Sequence, residues 1–260
     1  MTYALAGLLD PTRGWGVRDD TFHCLEAMHR LGRETWFRLG DFDLATHLQR
    51  TLLLQAGATL SDATRAIAQA LGVAAHMVPM SDDPVRTELR TPGGWLGLEE
   101  FFVRERCAPE VLEVQYRGAE EAKPAPGVLA AVEAAEAVVV CCSNPVTSIG
   151  PILAVPGIAD ALGGTPAPVV AVSPIVGGQA VSGPAAKLLA ARGLEVSPAG
   201  IAQAYRPWLD TLVLDRRDAA HGPGLERRGV RPVLTDALMP DAAAEIRLAE
   251  VVLEAAGVRR

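Results

Sequence analysis

Ala137–Cys142 is a continuous apolar run, and Pro168–Ser173 repeats the pattern around Val169-Val170-Ala171-Val172. Each is too short for an ordinary helix, and neither alternates apolar with polar. A strand of this kind has to be covered on both faces, as in a parallel sheet flanked by helices. The surrounding segments agree. Pro151–Leu162 with an expected kink at Pro156, Pro184–Ala191 before Gly193, a segment opened by Ser197 and Pro198, and Asp241–Ala256 before Gly257 all read as helices. Thr211–Leu214 and Val230–Leu234 add two strands. This alternation predicts an α/β fold with a Rossmann-like parallel sheet and helices on both faces.

The first 118 residues have a different rhythm. Thr2–Leu9 reads as helix, broken by a turn at Pro11–Gly14. Asp19 or Asp20 is placed to cap a helix over Thr21–Leu31, whose apolar residues recur every third position. Glu34–Leu39 reads as a short strand, and Asp41 as the cap of a helix ending near Gly57. Thr59 and Asp62 form a capping-box pattern for a helix stopped at Gly72. Val73–Pro79, Val85–Arg90, Trp95–Val103 and Val111–Arg117 then read as extended pieces, with a turn at Thr91–Gly94. Residues 41–118 are taken as an inserted α/β subdomain, and residues 1–40 with 119–260 as the core. A length of 260 residues, against about 150 for a common domain, suits that division.

Charge narrows the partners. The 24 Lys+Arg against 31 Asp+Glu give −7, with no basic run, so the counterion-release drive for nucleic-acid binding is missing. An anionic ligand has to be captured locally, by helix ends, loop amides, hydroxyls or a metal. No apolar stretch nears about 18 residues, so no membrane span is expected. No signal-peptide pattern opens the chain. Cys24, Cys107, Cys141 and Cys142 contain no CxxC and read as reduced, buried thiols of a cytoplasmic protein. The histidines lack zinc spacing, and no P-loop, GxSxG or GxGxxG occurs.

In an open parallel sheet, ligands lie beyond the carboxyl ends of the strands. Two loops stand there, each leading to a helix that starts at proline. Ser143, Asn144, Thr147, Ser148 and Gly150 in the first, with Ser173, Gly177 and Gly178 in the second, are candidates to bind a nucleotide or phosphate. The same residue types are also ordinary turn formers. Trp36, Arg38, Asp41 and Asp43 are candidates for a polar pocket around a flat ligand, with His47 nearby; alternatively Asp41 is only a cap. Asp82-Asp83-Pro84 is open to two readings, a divalent-cation site or a turn. No residue is assigned as a metal ligand.

Taken in order, several segments resemble one family. They are Gly14-Trp15-Gly16 with Asp20-Thr21-Phe22, Thr35–His47, Pro79–Asp83 and Glu121–Pro126, then Ser143–Leu153, Val172–Gly178 and Ser182–Ala185. The chain resembles the 2-phospho-L-lactate transferases of coenzyme F420 biosynthesis. The resemblance implies transfer of a phospholactyl or phosphoenolpyruvyl group from a guanosine-diphosphate-linked donor to the deazaflavin Fo. F420-0 or its dehydro form results, and GMP leaves. It further implies Mg2+, a homodimer, and a Rossmann-like sheet with an insertion. It places Fo at Arg38 and its neighbours Trp36, Asp41 and Asp43, and the nucleotide at the two loops. The family pattern opens with a strand, a glycine-rich loop and a Pro-Asp-x-Asp segment that serves metal and Fo. None of these is found here, so the first βα unit is expected to be missing, the catalytic residues stay unassigned, and little transferase activity is expected of this chain alone. A second class, a non-catalytic nucleotide-binding regulator of the gluconeogenesis-factor type, remains an alternative.

Overall fold

The computed structural model describes residues 1–258. The chain opens with a short helix α1 (Thr2–Leu5), followed by α2 (His23–Arg30), α3 (Asp41–Gln55) and α4 (Leu60–Ala70). Next come β1 (Arg86–Thr91), β2 (Gly94–Gly97), a π-helical turn at Glu100–Arg104, and β3 (Glu113–Arg117). They form an antiparallel sheet of order β2-β1-β3. After α5 (Val128–Glu133) and β4 (Val138–Val140) comes a second π-helical turn, Pro145–Ile149. It runs into α6 (Gly150–Ala154) and α7 (Ile158–Gly164). Then follow β5 (Val169–Val172), a hairpin of β6 (Ile175–Val176) and β7 (Gln179–Ala180), α8 (Ala185–Ala191) and α9 (Pro198–Ala204). The chain finishes with β8 (Thr211–Asp215), a 3₁₀ turn at Arg216–His221, α10 (Gly222–Glu226), β9 (Arg231–Thr235) and α11 (Ala242–Ala255).

The four-stranded sheet is parallel, in the order β4-β5-β8-β9. Consecutive strands lie side by side, so each crossover runs the same way and its helices fall on one face. Strand alternation then sorts the core. Val169 and Ala171 of β5, with Leu212 and Leu214 of β8, meet Ile158, Leu188 and Ile201 on the crossover side. Val170, Val172 and Val213 meet Leu248, Val252 and Ala256 of the α11 side. Both faces are therefore covered by helix, as the alternation predicts. Ser197 Oγ accepts from Gly200 N at 3.3 Å and starts α9; Asp241 Oδ1 accepts from Ala244 N at 2.8 Å and starts α11.

The segment 41–118 holds α3, α4 and the antiparallel sheet. Leu89, Phe101, Val111 and Val114 from that sheet enter the same apolar cluster as the parallel sheet. Lys187 Nζ on α8 donates to the carbonyls of Cys107, Ala108 and Pro109 at 2.5, 3.1 and 2.9 Å, locking the segment to the core.

Several expectations are corrected. β4 is an edge strand, and Val139 is 40% exposed because α11 packs chiefly over β5, β8 and β9. Cys24 and Cys141 are exposed, and Cys107 and Cys142 half-buried, so the thiols are not core residues. Glu34–Leu39 and Val73–Pro79 form no strand, since neither segment pairs into any of the sheets. Trp95–Val103 is extended only to Gly97, and a π-helical turn then carries Phe101 inward. Pro151–Leu162 is not one kinked helix. It divides into α6 and α7, part of a helical pair bent by 88°, where Pro156 offers no N–H and Gly157 takes φ +89°.

The caps of α2 and α3 are exchanged relative to expectation. Asp20, expected on α2, accepts from Phe42 N and Asp43 N at 2.9 and 3.1 Å and caps α3. Asp41, expected on its own helix, accepts from His23 N and Cys24 N at 3.1 and 3.0 Å and from Thr21 Oγ1 at 2.6 Å, capping α2. Gly40 is required there, because a Cβ would fall 2.1 Å from Asp20 Oδ2. Local sequence supplies the right residue types, but the reciprocal exchange exists only once the two helices have met.

Candidate functional site

Beyond the carboxyl ends of β4 and β5 lies a cavity of about 470 Å³, within the range of small-ligand sites. Cys142, Ser143, Asn144, Thr147 and Ser148 reach it from the loop after β4, and Ser173 and Pro174 from the end of β5. Val181, Ser182, Gly183, Pro184 and Ala185 line it ahead of α8, and Ala237 and Met239 after β9. Phe102 lines it from the π-helical turn Glu100–Arg104. Five of the eight residues expected at a phosphate are thus in one cavity; Gly150, Gly177 and Gly178 are not among its lining residues.

The backbone amides are less available than the loop sequences suggest. Asn144 Oδ1 accepts from Val146 N and Thr147 N at 2.9 and 3.2 Å, and Asn144 O accepts from Ser148 N at 3.0 Å. In the second loop, Gly177 N and Gly178 N donate to the Asp218 carboxylate at 2.8 and 3.1 Å. The buried Ser173 hydroxyl exchanges bonds with Ile175 N and O. Among the described residues, the lining side-chain donors without a partner are the hydroxyls of Ser143, Thr147, Ser148 and Ser182 and the Asn144 carboxamide N–H, and the amides of Ser182, Gly183 and Ala185 ahead of α8 are likewise unpaired. These are neutral donors, suited to phosphate oxygens or ribose rather than to a bare acid–base reaction.

Gly150 is explained by packing. A Cβ on it would fall 1.9 Å from Tyr116 Oη. Tyr116 donates to Val146 O at 2.5 Å and so ties β3 to the loop after β4. Burial pushes the Tyr116 hydroxyl pKa up, keeping it a donor.

The flat-ligand candidates are divided. Trp36 borders two other cavities, of about 460 and 720 Å³. Its ring faces Arg104 Cζ at 5.1 Å. Arg38 Cζ lies 4.9 Å over the Phe22 ring, and Asp41 holds α2. Asp43 accepts from Tyr3 Oη at 2.7 Å and lies 3.5 Å from His47 Nε2. Burial, with the Asp43 charge, raises the Tyr3 hydroxyl to about 12. Hydrogen bonds from Thr21 and the α2 amides hold the Asp41 carboxyl below its ordinary range.

The residues present do not fit a magnesium ion in the cavity. Its lining holds hydroxyls and one amide but no carboxylate. Asp82 and Asp83 accept from Ser61 N and Lys123 N at 2.7 and 2.9 Å, so both carboxylates tie this bend to α4 and to the segment before α5. Among the described residues, no three His, Cys, Asp or Glu side chains converge as ligands.

The buried acids Asp215 and Asp218 carried no assignment from sequence. Asp215 ends β8 and accepts from Arg217 N and Ala237 N, both at 3.0 Å, which fixes the cavity-lining segment after β9. Burial pushes its carboxyl up, but those amides with Arg217 and Arg216 outweigh it and hold it low. Asp218 shapes the hairpin of β6 and β7. An acid at the carboxyl end of a core strand was the available signal for Asp215. Nothing local marked Phe102 or Tyr116.

Sheet order, two-sided helix cover and a hydroxyl-walled cavity at the strand ends define a Rossmann-like α/β protein. The family model described as 2-phospho-L-lactate transferase CofD matches residues 7–253. The chain belongs to that family and is a transferase. A 2-phospho-L-lactate transferase of Methanococcoides burtonii is 44% identical over 237 residues, 91% of this chain and 77% of the relative. Its counterpart in Methanosarcina mazei is 42% identical, covering 97% and 83%. A phosphoenolpyruvate transferase of Streptomyces griseus is 41% identical, covering 98% and 82%. Among solved structures, a UPF0052-family protein of Bacillus halodurans superposes with TM-score 0.55 at 14% identity, covering 78% and 69%. At that identity the likeness concerns the fold alone.

Proposed function

We propose that the chain transfers a phospholactyl or phosphoenolpyruvyl group from a guanosine-diphosphate-linked donor to a ribityl hydroxyl of Fo, releasing GMP. The observation that carries this reading is the cavity at the ends of β4 and β5, whose free donors are hydroxyls and an amide N–H. The acceptor hydroxyl oxygen attacks the transferred phosphorus. The new O–P bond forms as the bridging P–O bond breaks, and that electron pair departs with GMP. The hydroxyl proton passes to solvent. Ser143, Asn144, Thr147, Ser148 and Ser182 hold and orient phosphate oxygens, so positioning and charge stabilisation supply most of the effect. Relatives named for either three-carbon group are 39–44% identical, so both donors stay within the proposal.

Magnesium would enter this reading only together with the donor, because the cavity lining offers it no carboxylate. Mg2+ alone should therefore bind weakly, and nucleotide should raise its affinity. Trp36, Arg38 and Asp43 are proposed on the Fo side. A cytoplasmic homodimer completes the reading. Four unpaired thiols and the exposed Phe42, Leu48 and Leu52 on α3 support it. Among the described residues no single helix is long and apolar enough to cross a membrane.

Thermal denaturation with GDP and with Fo tests the proposal. A ligand at a hundred times its Kd stabilises by about 2.7 kcal/mol. Both ligands should raise the melting temperature. A response to nucleotide alone favours the regulator class, and a response to neither overturns the reading.

A further inference from the structure

Phe102 is the one aromatic ring among the residues lining the cavity, and it comes from the π-helical turn between β2 and β3 rather than from the parallel sheet. The π-helical turn Glu100–Arg104 separates it from its neighbour: Phe101 is fully buried, while Phe102 stays 43% exposed. Two other rings of this part of the chain are covered by cations. Lys187 Nζ lies 6.0 Å from the Phe101 centroid, and Arg104 Cζ lies 5.1 Å from that of Trp36. Among the described residues Phe102 has no cation or ring partner.

Its position is built. The Phe102 Cζ atom lies 3.3 Å from where a Cβ on Gly183 would stand. Gly183 takes φ +65°, which itself favours glycine. Lys187, on the helix that follows Gly183, grips the carbonyls of Cys107, Ala108 and Pro109 just after the Phe102 turn. Ring and glycine are thus held together by one clamp. The loop after β4 brings hydroxyls and an amide to the cavity, while Phe102, Val181 and Met239 bring apolar surface. Such mixed walls suit a ligand with an anionic or hydroxylated part and a flat, weakly polar part.

We propose that Phe102 is a specificity-determining residue, whose ring stacks on the planar heteroaromatic ring of the bound substrate. This rests on the reading of the cavity as the substrate site. The shared chemistry is a planar heterocycle, carried either by the nucleotide donor or by the deazaflavin acceptor.

The test uses the full chain and its Phe102→Ala, Phe102→Leu, Phe102→Tyr and Phe102→Trp variants. GDP binding is followed by calorimetry, and Fo binding by its own fluorescence. Leucine keeps apolar bulk without a π face, and tyrosine or tryptophan restores the face. The expected result is a loss of about tenfold or more for one ligand in the alanine and leucine variants. Tyrosine or tryptophan should restore it, with an unchanged melting temperature throughout. Loss confined to GDP assigns the nucleobase, and loss confined to Fo assigns the deazaflavin; either supports the inference. Full affinity of the alanine and leucine variants for both ligands overturns the stacking inference and leaves the cavity reading standing. If the unaltered chain binds neither ligand, the cavity reading falls and the inference with it.

Discussion

Val170 of β5 and Leu52 of α3 are both aliphatic residues on regular elements, yet Val170 is fully buried and Leu52 is 60% exposed. The contrast extends over two regions. All four residues of β5 and all five of β8 are buried. Helices α1, α2 and α3 contain no buried residue. The sheet is held by area removed from water on both faces. The amino-terminal helices are held by polar devices instead: the Asp20 and Asp41 exchange, the Tyr3–Asp43 bond and cation–ring contacts at Phe22. One region is thus fixed by packing. The other is fixed by a few directed bonds and leaves Phe42, Leu48 and Leu52 of α3 exposed.

Leu212→Ala, in the centre of the sheet, should produce the largest effect, about 2–5 kcal/mol lost in chemical denaturation. A loss under about 1 kcal/mol would erase the contrast. Asp218→Ala should cost less, about 1–3 kcal/mol, by stranding the Gly177 and Gly178 amides. It should also weaken GDP binding by deforming the wall ahead of α8. Asp20→Ala should cost about 0.5–2 kcal/mol. Because Asp20 and Asp41 cap each other's helices, the double alanine variant should be less damaging than the sum of the singles; strict additivity would mean the caps are independent.

Acid should act on the same polar devices. The Asp215 carboxyl is held low in the fold, so its stabilisation is complete above the unfolded value, about pH 4, and is lost as pH falls through the lower folded value. Asp215→Asn should flatten the acid limb of a stability-against-pH curve, and an unchanged limb would exclude Asp215 from it. The smallest effect on the folded monomer is expected for Leu48→Gln with Leu52→Gln, within about 0.5 kcal/mol per site. Sedimentation should nevertheless show a shift toward monomer if α3 joins two copies.

The core was legible because its signals are local and repeated. Apolar runs at Val138–Val140 and Val169–Val172, a Ser-Pro helix start at Ser197 and an Asp cap at Asp241 each carry their meaning in a few neighbouring residues. The edge position of β4 was not legible, since strand order depends on contacts between distant segments. The same limit explains the exchanged caps. For the site, sequence located both loops but misjudged their amides. The acceptors that occupy them are Asn144 itself and Asp218, which lies some forty residues beyond Gly177 and Gly178. Phe102 was hidden because Trp95–Val103 read as one extended piece, when a π-helical turn divides Phe101 from Phe102.

The central claim is that the hydroxyl-walled cavity at the ends of β4 and β5 binds the phosphates of a guanosine nucleotide. Calorimetric titration of GDP into the chain and into a Thr147→Val, Ser148→Ala variant tests it directly. The account predicts binding to the unaltered chain, at least tenfold weaker binding to the variant, about 1.4 kcal/mol, and matching melting temperatures without ligand. Equal affinity of the two proteins for GDP would contradict it.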